Sequence, residues 1–395
     1  MMIQAVLGNP NHPEYGVATI PFPIPRDQYA HCMELLAAME IGDAVKADCK
    51  VEKIDSFYTV LKRAEMLTVN VEELNYLAKR LGSFDTGEAA QFQAMAHKLE
   101  LFELKDLINL TFCCQQATVI TDFSDLAAIG RDHYMNLHGG CASVYELNAL
   151  DGKGAARQLI ESGSGTVTPY GVVYDNGMKL EQVYDGRFFP CYYYEPNAIT
   201  VAVTSKAEPE GTAHITWLFL PMVQEEVDRA LLRGGITDPA DVRLRLEDSQ
   251  FPNEVDVLLD MEHEALSDLN ELAEATDGLS KVDMEKLGAA VMLAEPKSAA
   301  QIKNLAERLG LFDFAPGAHT PEEYGKYMIR QSGHFDYDEN LDAFYDYEKY
   351  GTERMNEEDG MFTDRGYVAY KGFFHMEEVM NGSQSSHMEM GGLSR

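Results

Sequence analysis

Basic residues are scarce in this chain of 395 residues: 32 Lys and Arg stand against 65 Asp and Glu, and the net charge is −33. A negative charge of this size argues against direct binding to nucleic acids or anionic membranes, because both would repel it. The scarcity favours basic partners instead, such as cations, polyamines or a protein with a positively charged groove. A chain of this length with 45% hydrophobic residues can still bury a sizeable core.

Motifs typical of enzymes, metal centres and membrane segments are also missing. The six cysteines include no C-x-x-C pair, and neither G-x-G-x-x-G nor G-x-x-x-x-G-K occurs. Residues 336–347 resemble a calcium loop, but Leu341 replaces the turn glycine and Tyr347 the final glutamate. There is no basic leader and no apolar stretch of 18 residues. We therefore expect a cytoplasmic protein that is not an enzyme and needs no cofactor or metal.

The chain resembles itself at a constant shift of 195 residues. VEELNYLA at 71–78 falls on LSDLNELA at 266–273, and Gly130 falls on Gly325. Such a period is far too long for a solenoid repeat, which falls near 20–50 residues. One register over the whole chain predicts a tandem duplication, with copy one at 1–195, copy two at 196–382 and a flexible tail at 383–395.

The pattern within each copy predicts an α+β fold with several small subdomains. Alternating Val, Ile and Thr indicate strands at the start of each copy, helical periodicity follows, and β-like sequence returns near the end. Asp175, Asn176 and Gly177 are typical of a hairpin turn. The predicted strands are 3–8, 16–22, 198–205 and 212–220, the helices are 26–40, 267–276, 296–310 and 320–333, and the closing β segments are 170–184 and 365–379.

Negative charge is concentrated in copy two. Residues 1–195 have a net charge of −11 and the remainder −22. Residues 247–277 hold eleven acids and no Lys or Arg, and residues 336–360 hold ten acids and two bases. Duplex DNA carries one phosphate per about 3.4 Å on each strand, so carboxylates at intervals of several ångströms would present a comparable field. Selection for a negative surface explains the unequal charge better than neutral drift does.

We predict that these acids form a protein-binding surface that imitates DNA. If residues 260–271 are helical throughout, carboxylates three or four residues apart lie on one face, and Asp260, Glu264, Asp268 and Glu271 have that spacing. The predicted surface comprises Glu247, Asp248, Glu254, Asp256, Asp260, Glu262, Glu264, Asp268, Glu271, Glu274, Asp336, Asp338, Glu339, Asp342, Asp346, Glu348, Glu353, Glu357, Glu358 and Asp359.

NLDAFYDYEKYG at 340–351, followed by TDRGYVAYKG, resembles the C-terminal part of ArdA-type antirestriction proteins. That family carries an aromatic-Asp-Tyr-Glu-x-Tyr-Gly motif, and the resemblance extends back through DLNELAE to the strands near Ala198. Copy one keeps Asp151 opposite Asp346 but reads NALDGKGAAR in place of the motif. The motif residues in this chain are Tyr345, Asp346, Tyr347, Glu348, Tyr350 and Gly351.

The resemblance implies a function and a partner. ArdA-type proteins are elongated α+β DNA mimics of mobile genetic elements such as conjugative transposons, and they are not enzymes. They occupy the DNA groove of type I restriction-modification enzymes, so the implied partners are methyltransferase and specificity subunits, without nucleic acid or membrane. Their head-to-head dimers imply either a homodimer or an intrachain pseudo-dimer here. The alternative is an acidic structural or regulatory module of a mobile element that binds another basic protein.

Overall fold

The computed structural model describes residues 3–209, 211–334 and 336–382, and the predicted tail at 383–395 lies outside these ranges. The described chain forms two compact units. Unit 1 holds the described residues up to 195 together with 214–216 and 223–237, and unit 2 holds the rest. Both combine helices with small antiparallel sheets, so the predicted α+β class is confirmed. Each described helix is too short or too polar to cross a membrane.

Unit 1 contains two sheets with separate cores. The four-stranded sheet has the order β2-β1-β3-β4 and packs with α1–α4 around a large apolar cluster, while β5-β7-β6 packs with α5 and α7 around a small one. The strands are β1 Ile3–Gly8, β2 Val17–Phe22, β3 Cys49–Asp55, β4 Thr68–Val69, β5 Thr118–Ile120, β6 Thr166–Thr168 and β7 Gly171–Tyr174. The helices are α1 Tyr29–Ala38, α2 Val71–Gly82, α3 Thr86–Lys98, α4 Leu104–Leu110, α5 Leu126–Leu137, α6 Val144–Ala149, α7 Gly152–Glu161 and α8 Gln224–Arg233.

Helix α8 belongs to unit 1 although it comes from the second half of the sequence. Its Arg233 is 4% exposed, and its guanidinium donates to Ala44 O (2.9 Å), to Asn70 Oδ1 (3.0 Å) and to the Tyr184 hydroxyl. Tyr184 in turn donates to the carboxylate of Glu73 (2.8 Å), which lies 3.6 Å from the guanidinium. A buried cation is therefore fully hydrogen-bonded inside unit 1, as burial of a charge requires.

Unit 2 also contains two sheets. The first sheet has the strand order β10-β8-β9, and the second has the order β11-β13-β12. The second sheet packs with α13 and α14 around Tyr324 and Tyr367. The strands are β8 Ile199–Ser205, β9 Thr216–Leu220, β10 Val242–Ser249, β11 Phe312–Pro316, β12 Asp359–Thr363 and β13 Gly366–Tyr370. The helices are α9 Asn253–Leu258, α10 Leu266–Thr276, α11 Lys281–Ala294, α12 Ala299–Ala306, α13 Pro321–Arg330, α14 Tyr347–Glu357 and α15 Met376–Met380.

Secondary structure recurs along the chain with the period seen in the sequence. Helices α8, α10, α11, α12, α13 and α14 each begin 195 residues after α1, α2, α3, α4, α5 and α7, respectively. Sheet order recurs as well: in the first sheet of each unit the earliest strand lies between the next two, and in the second sheet of each unit the latest strand is central. The boundaries of the compact units nevertheless differ from the predicted boundary at residue 195, because α8 lies in unit 1.

Several predicted elements are shorter than expected. The predicted β segment 170–184 is a strand only up to Tyr174, and the turn follows with Asn176 at φ 53° and Gly177 at φ 77°. Beyond it the Asn109 side chain bonds both the N–H and the C=O of Tyr184 (2.7 and 3.0 Å), replacing a strand partner.

The boundaries of three other elements also differ from those predicted. The segment 365–379 ends its strand at Tyr370 and becomes helical at Met376. The helix predicted at 296–310 begins only after Ser298, whose side chain caps it by accepting the N–H of Gln301 (3.4 Å). The helix predicted from residue 26 opens with a 3-10 turn before α1.

Candidate protein-binding surface

The first acidic segment, residues 247–277, is not one helix. It runs from the end of β10 through α9 and a turn into α10. Asp260 and Glu264 lie in that turn, whereas Asp268 and Glu271 lie on α10. The predicted helical face of four carboxylates is therefore wrong. The Asp260 carboxylate accepts the backbone N–H two residues later (3.1 Å), an interaction that competes with helix formation.

Two carboxylates of this segment hold unit 2 together. Glu254 on α9 accepts from Arg365 Nε (3.0 Å) and Nη2 (2.8 Å), and although burial acts to raise its pKa, these bonds keep the pKa below its usual value. Glu264 accepts the N–H of Ala299 at the start of α12 (3.0 Å), while burial raises the pKa of Glu264. Both carboxylates are hydrogen-bonded by groups of the same unit. They therefore add less negative charge to the outer surface than the sequence suggests.

The second acidic segment is organised around Asp342. Its Oδ1 accepts from the hydroxyls of Tyr347 and Tyr337 (2.7 Å for Tyr337) and from the guanidinium of Arg330 at the end of α13. Hydrogen bonds from Tyr347, Tyr337 and Arg330 lower the pKa of Asp342 to about 2. This carboxylate therefore stays ionised and ties the connection between α13 and α14 to both helices.

Glu358 plays a comparable part at the other end of α14. Its carboxylate accepts the hydroxyl of buried Tyr324 on α13 (2.6 Å) and pairs with Arg354 one helical turn earlier. Burial, followed by the bond to Glu358, raises the pKa of the Tyr324 hydroxyl. Like Asp342, Glu358 is thus occupied by packing between the two helices.

The motif residues explain why α13 and α14 can cross closely. A Cβ on Gly351 would lie 1.9 Å from Pro321 O, and one on Gly325 would lie 2.1 Å from Tyr347 O. Only glycine fits at either position without moving a backbone. Asp346 caps α14 by accepting the N–H of Lys349 (3.0 Å). The glycine and the capping aspartate of the motif therefore serve the packing of α14 against α13, and they do not by themselves define a binding surface.

The corresponding crossing in unit 1, between α5 and α7, has a similar aspartate cap and a similar close contact at a glycine. Asp151 caps α7 by accepting the N–H of Gly154 (3.0 Å), as Asp346 caps α14. A Cβ on Gly130 of α5 would lie 1.8 Å from Gly152 O. At the shift of 195 residues, Asp346 and Gly325 are thus matched by Asp151 and Gly130, whereas Gly351 falls on Ala156 and Glu348 on Lys153.

Fourteen of the twenty predicted acids are exposed. Some of these form surface ion pairs, for example Glu271 with Lys303 (2.8 Å), whereas Glu339, Glu348 and Glu353 extend from the region of α14. The six that are half-buried are Glu254, Asp256, Glu264, Asp268, Asp342 and Glu358. The exposed ones are Glu247, Asp248, Asp260, Glu262, Glu271, Glu274, Asp336, Asp338, Glu339, Asp346, Glu348, Glu353, Glu357 and Asp359.

The sequence pattern did not predict two kinds of residue that shape this surface. Arg365 and Arg330 neutralise predicted surface acids, but Arg365 is 111 residues from Glu254, and no local pattern signals such a pair. Phe344 and Leu341 are exposed beside the acids, at 84% and 48%. Within the described ranges, no group of His, Cys, Asp and Glu is placed to hold a metal ion.

The fold and surface define an acidic α+β protein whose second half exposes many carboxylates and contains a tight helix crossing. Residues 209–369 match the family model for the antirestriction protein (ArdA). The match spans both acidic segments and the crossing of α13 and α14, and residues 1–208 lie outside it. It supports the resemblance of the second half to ArdA-type proteins. No curated protein matches the chain.

Proposed function

We propose that this protein is an antirestriction protein that acts as a DNA mimic. It occupies the DNA-binding groove of type I restriction-modification enzymes, through their methyltransferase and specificity subunits, and so protects incoming mobile DNA. The observation that carries this proposal is that fourteen exposed carboxylates are concentrated in the two acidic segments at 247–277 and 336–360, both inside the region matching the ArdA model.

The physical basis is electrostatic. A groove built for DNA presents Lys and Arg to phosphates, and binding releases the counterions held by the phosphates. Binding of a carboxylate surface to the groove can release counterions in the same way. Long-range attraction between the opposite charges also speeds association. Each exposed contact is weak, so binding depends on many carboxylates acting together.

We further propose that the chain arose by tandem duplication and that its second copy carries the mimicry. The helix starts repeated at 195 residues and the repeated strand orders support the duplication. The larger negative charge after residue 195 supports the second copy as the binding part. The first copy then acts as a scaffold, and the two copies form either a pseudo-dimer within one chain or half of a homodimer.

A competition experiment tests this function. A type I methyltransferase core is bound to labelled duplex DNA, and the protein is added at two salt concentrations. We expect displacement that weakens as salt rises, because exposed ionic contacts are screened. The triple variant E339Q/E348Q/E353Q should bind about tenfold more weakly at low salt, since three exposed contacts are lost.

The matched control is D55N/E103Q/E161Q, which removes three exposed acids from unit 1. Equal effects of the two triple variants would place the mimicry in overall charge and contradict its assignment to copy two. Failure of the unmodified protein to displace DNA at low salt would refute the type I target. An acidic module with another basic partner would then be the better account.

A further inference from the structure

Two exposed apolar side chains lie among the acids of unit 2. Leu341 and Phe344 belong to the 3-10 turn Glu339–Phe344, and they are 48% and 84% exposed. Side chains three residues apart eclipse in a 3-10 helix, so the two extend from the same side of the turn. Single exposed apolar residues are ordinary, but two on one side of a short turn form a patch.

The turn is held in place by hydrogen bonds and ring contacts. Asp342, between the two apolar residues, is bonded by Tyr337, Tyr347 and Arg330. The ring of Tyr345 lies 6.1 Å from that of Tyr337 and 5.8 Å from that of Tyr347. The patch is thus presented by a fixed turn, and little conformational entropy is lost when a partner covers it.

The surroundings of the patch are strongly negative. Asp336, Asp338, Glu339, Asp346 and Glu348 are exposed within a few residues of it, and Arg330 is directed to Asp342. A surface of this kind fits a partner that is positively charged around an apolar cavity. A second copy of the same acidic turn would instead bring like charges together.

We propose that Phe344, supported by Leu341, is an apolar anchor that inserts into the basic groove of the protein partner while the surrounding carboxylates pair with its cations. This inference rests on the proposed function and deepens it. DNA phosphates offer no such apolar contact, so the anchor distinguishes the mimic from the nucleic acid it imitates. Its contribution does not depend on salt, unlike that of the carboxylates.

The first half of the chain offers a matched control. Tyr145 is 83% exposed and lies on α6, in the connection between α5 and α7 that corresponds to the turn before α14. The acids of that connection are Glu146, whose carboxylate is bonded by Ser143 (2.7 Å), and Asp151, which caps α7. Tyr145→Ala therefore removes a similar exposed ring without a surrounding carboxylate cluster.

The test measures the Kd of the full-length protein for the type I methyltransferase core at low and high salt. We expect F344A to raise Kd at least about tenfold at both salt concentrations, as loss of an anchor residue does, and Y145A to leave it unchanged. E339Q/E348Q/E353Q should instead weaken binding mainly at low salt. Unfolding curves check that F344A is folded, which its exposure predicts.

Three results would overturn the anchor. If the unmodified protein binds and F344A binds equally well, the anchor is wrong while the proposed function stands. If F344A converts a dimer to a monomer in sedimentation velocity without changing Kd, the patch covers a second copy instead. If the unmodified protein does not bind the methyltransferase core at low salt, the proposed function itself fails.

Discussion

Replacing Arg233 with alanine should sharply destabilise unit 1. The guanidinium is almost fully buried and is bonded to Ala44, Asn70 and Tyr184, with Glu73 close by. Arg233→Ala leaves the Glu73 carboxylate in a site where burial already raises its pKa, and it leaves several acceptors without a donor.

The expected loss follows from that arrangement. Removing one partner of a buried ion pair typically costs about 3–5 kcal/mol, because the remaining charge stays desolvated. Against a total unfolding free energy of about 5–15 kcal/mol, this is a large fraction. Arg233→Lys should lose less, since it keeps the charge but not the planar set of donors.

Urea unfolding of the full chain measures this effect. The matched control is Arg245→Ala, which removes a guanidinium that is 66% exposed and paired with Glu247, and it should cost no more than about 1 kcal/mol. If R233A unfolds at the same urea concentration as R245A, the buried guanidinium contributes no more than a surface one. The reasoning from burial would then be refuted.

Two further changes test the crossing of α13 and α14 and the turn before α14. Gly351→Ala should lower the unfolding free energy by about 2 kcal/mol or more, because its Cβ would overlap backbone, whereas Gly310→Ala, with no atom within 4 Å, should be neutral in thermal melts. The pKa of Asp342 falls from 3.8 to about 2 on folding. The ionised carboxylate therefore stabilises the folded state above about pH 4, and this stabilisation is lost as the pH falls toward 2. The stability difference between unmodified protein and Asp342→Asn should thus shrink over that range in acid titrations, and a difference that grows there would contradict the assignment.

The four helices predicted at 26–40, 267–276, 296–310 and 320–333 are each present, because their signals are local. Thr320 with Pro321 and Glu323 forms a standard start, and α13 begins there with the Thr320 side chain accepting the N–H of Glu323 (3.2 Å). Internal similarity also predicted that corresponding segments would adopt the same structure, as α2 and α10 do.

The failures concern interactions between residues far apart in sequence. Whether Glu254 is a surface charge depends on Arg365, and whether residues 178–184 form a strand depends on Asn109. Charge density predicted which region is acidic, but it did not predict which carboxylates are already neutralised. Exposure of Phe344 was equally hidden, because an aromatic residue in a folded segment usually packs inside.

The position of α8 bears on how such a chain can evolve. Tandem repeats in a gene are readily shortened to one copy by recombination. Here a deletion of the second copy would remove Arg233 and leave Glu73 and Tyr184 without their cation, and a deletion of the first would leave α8 without the residues that bury it. Under the duplication proposed above, either loss is penalised by folding itself, so selection for stability retains both copies whether or not both contact the target.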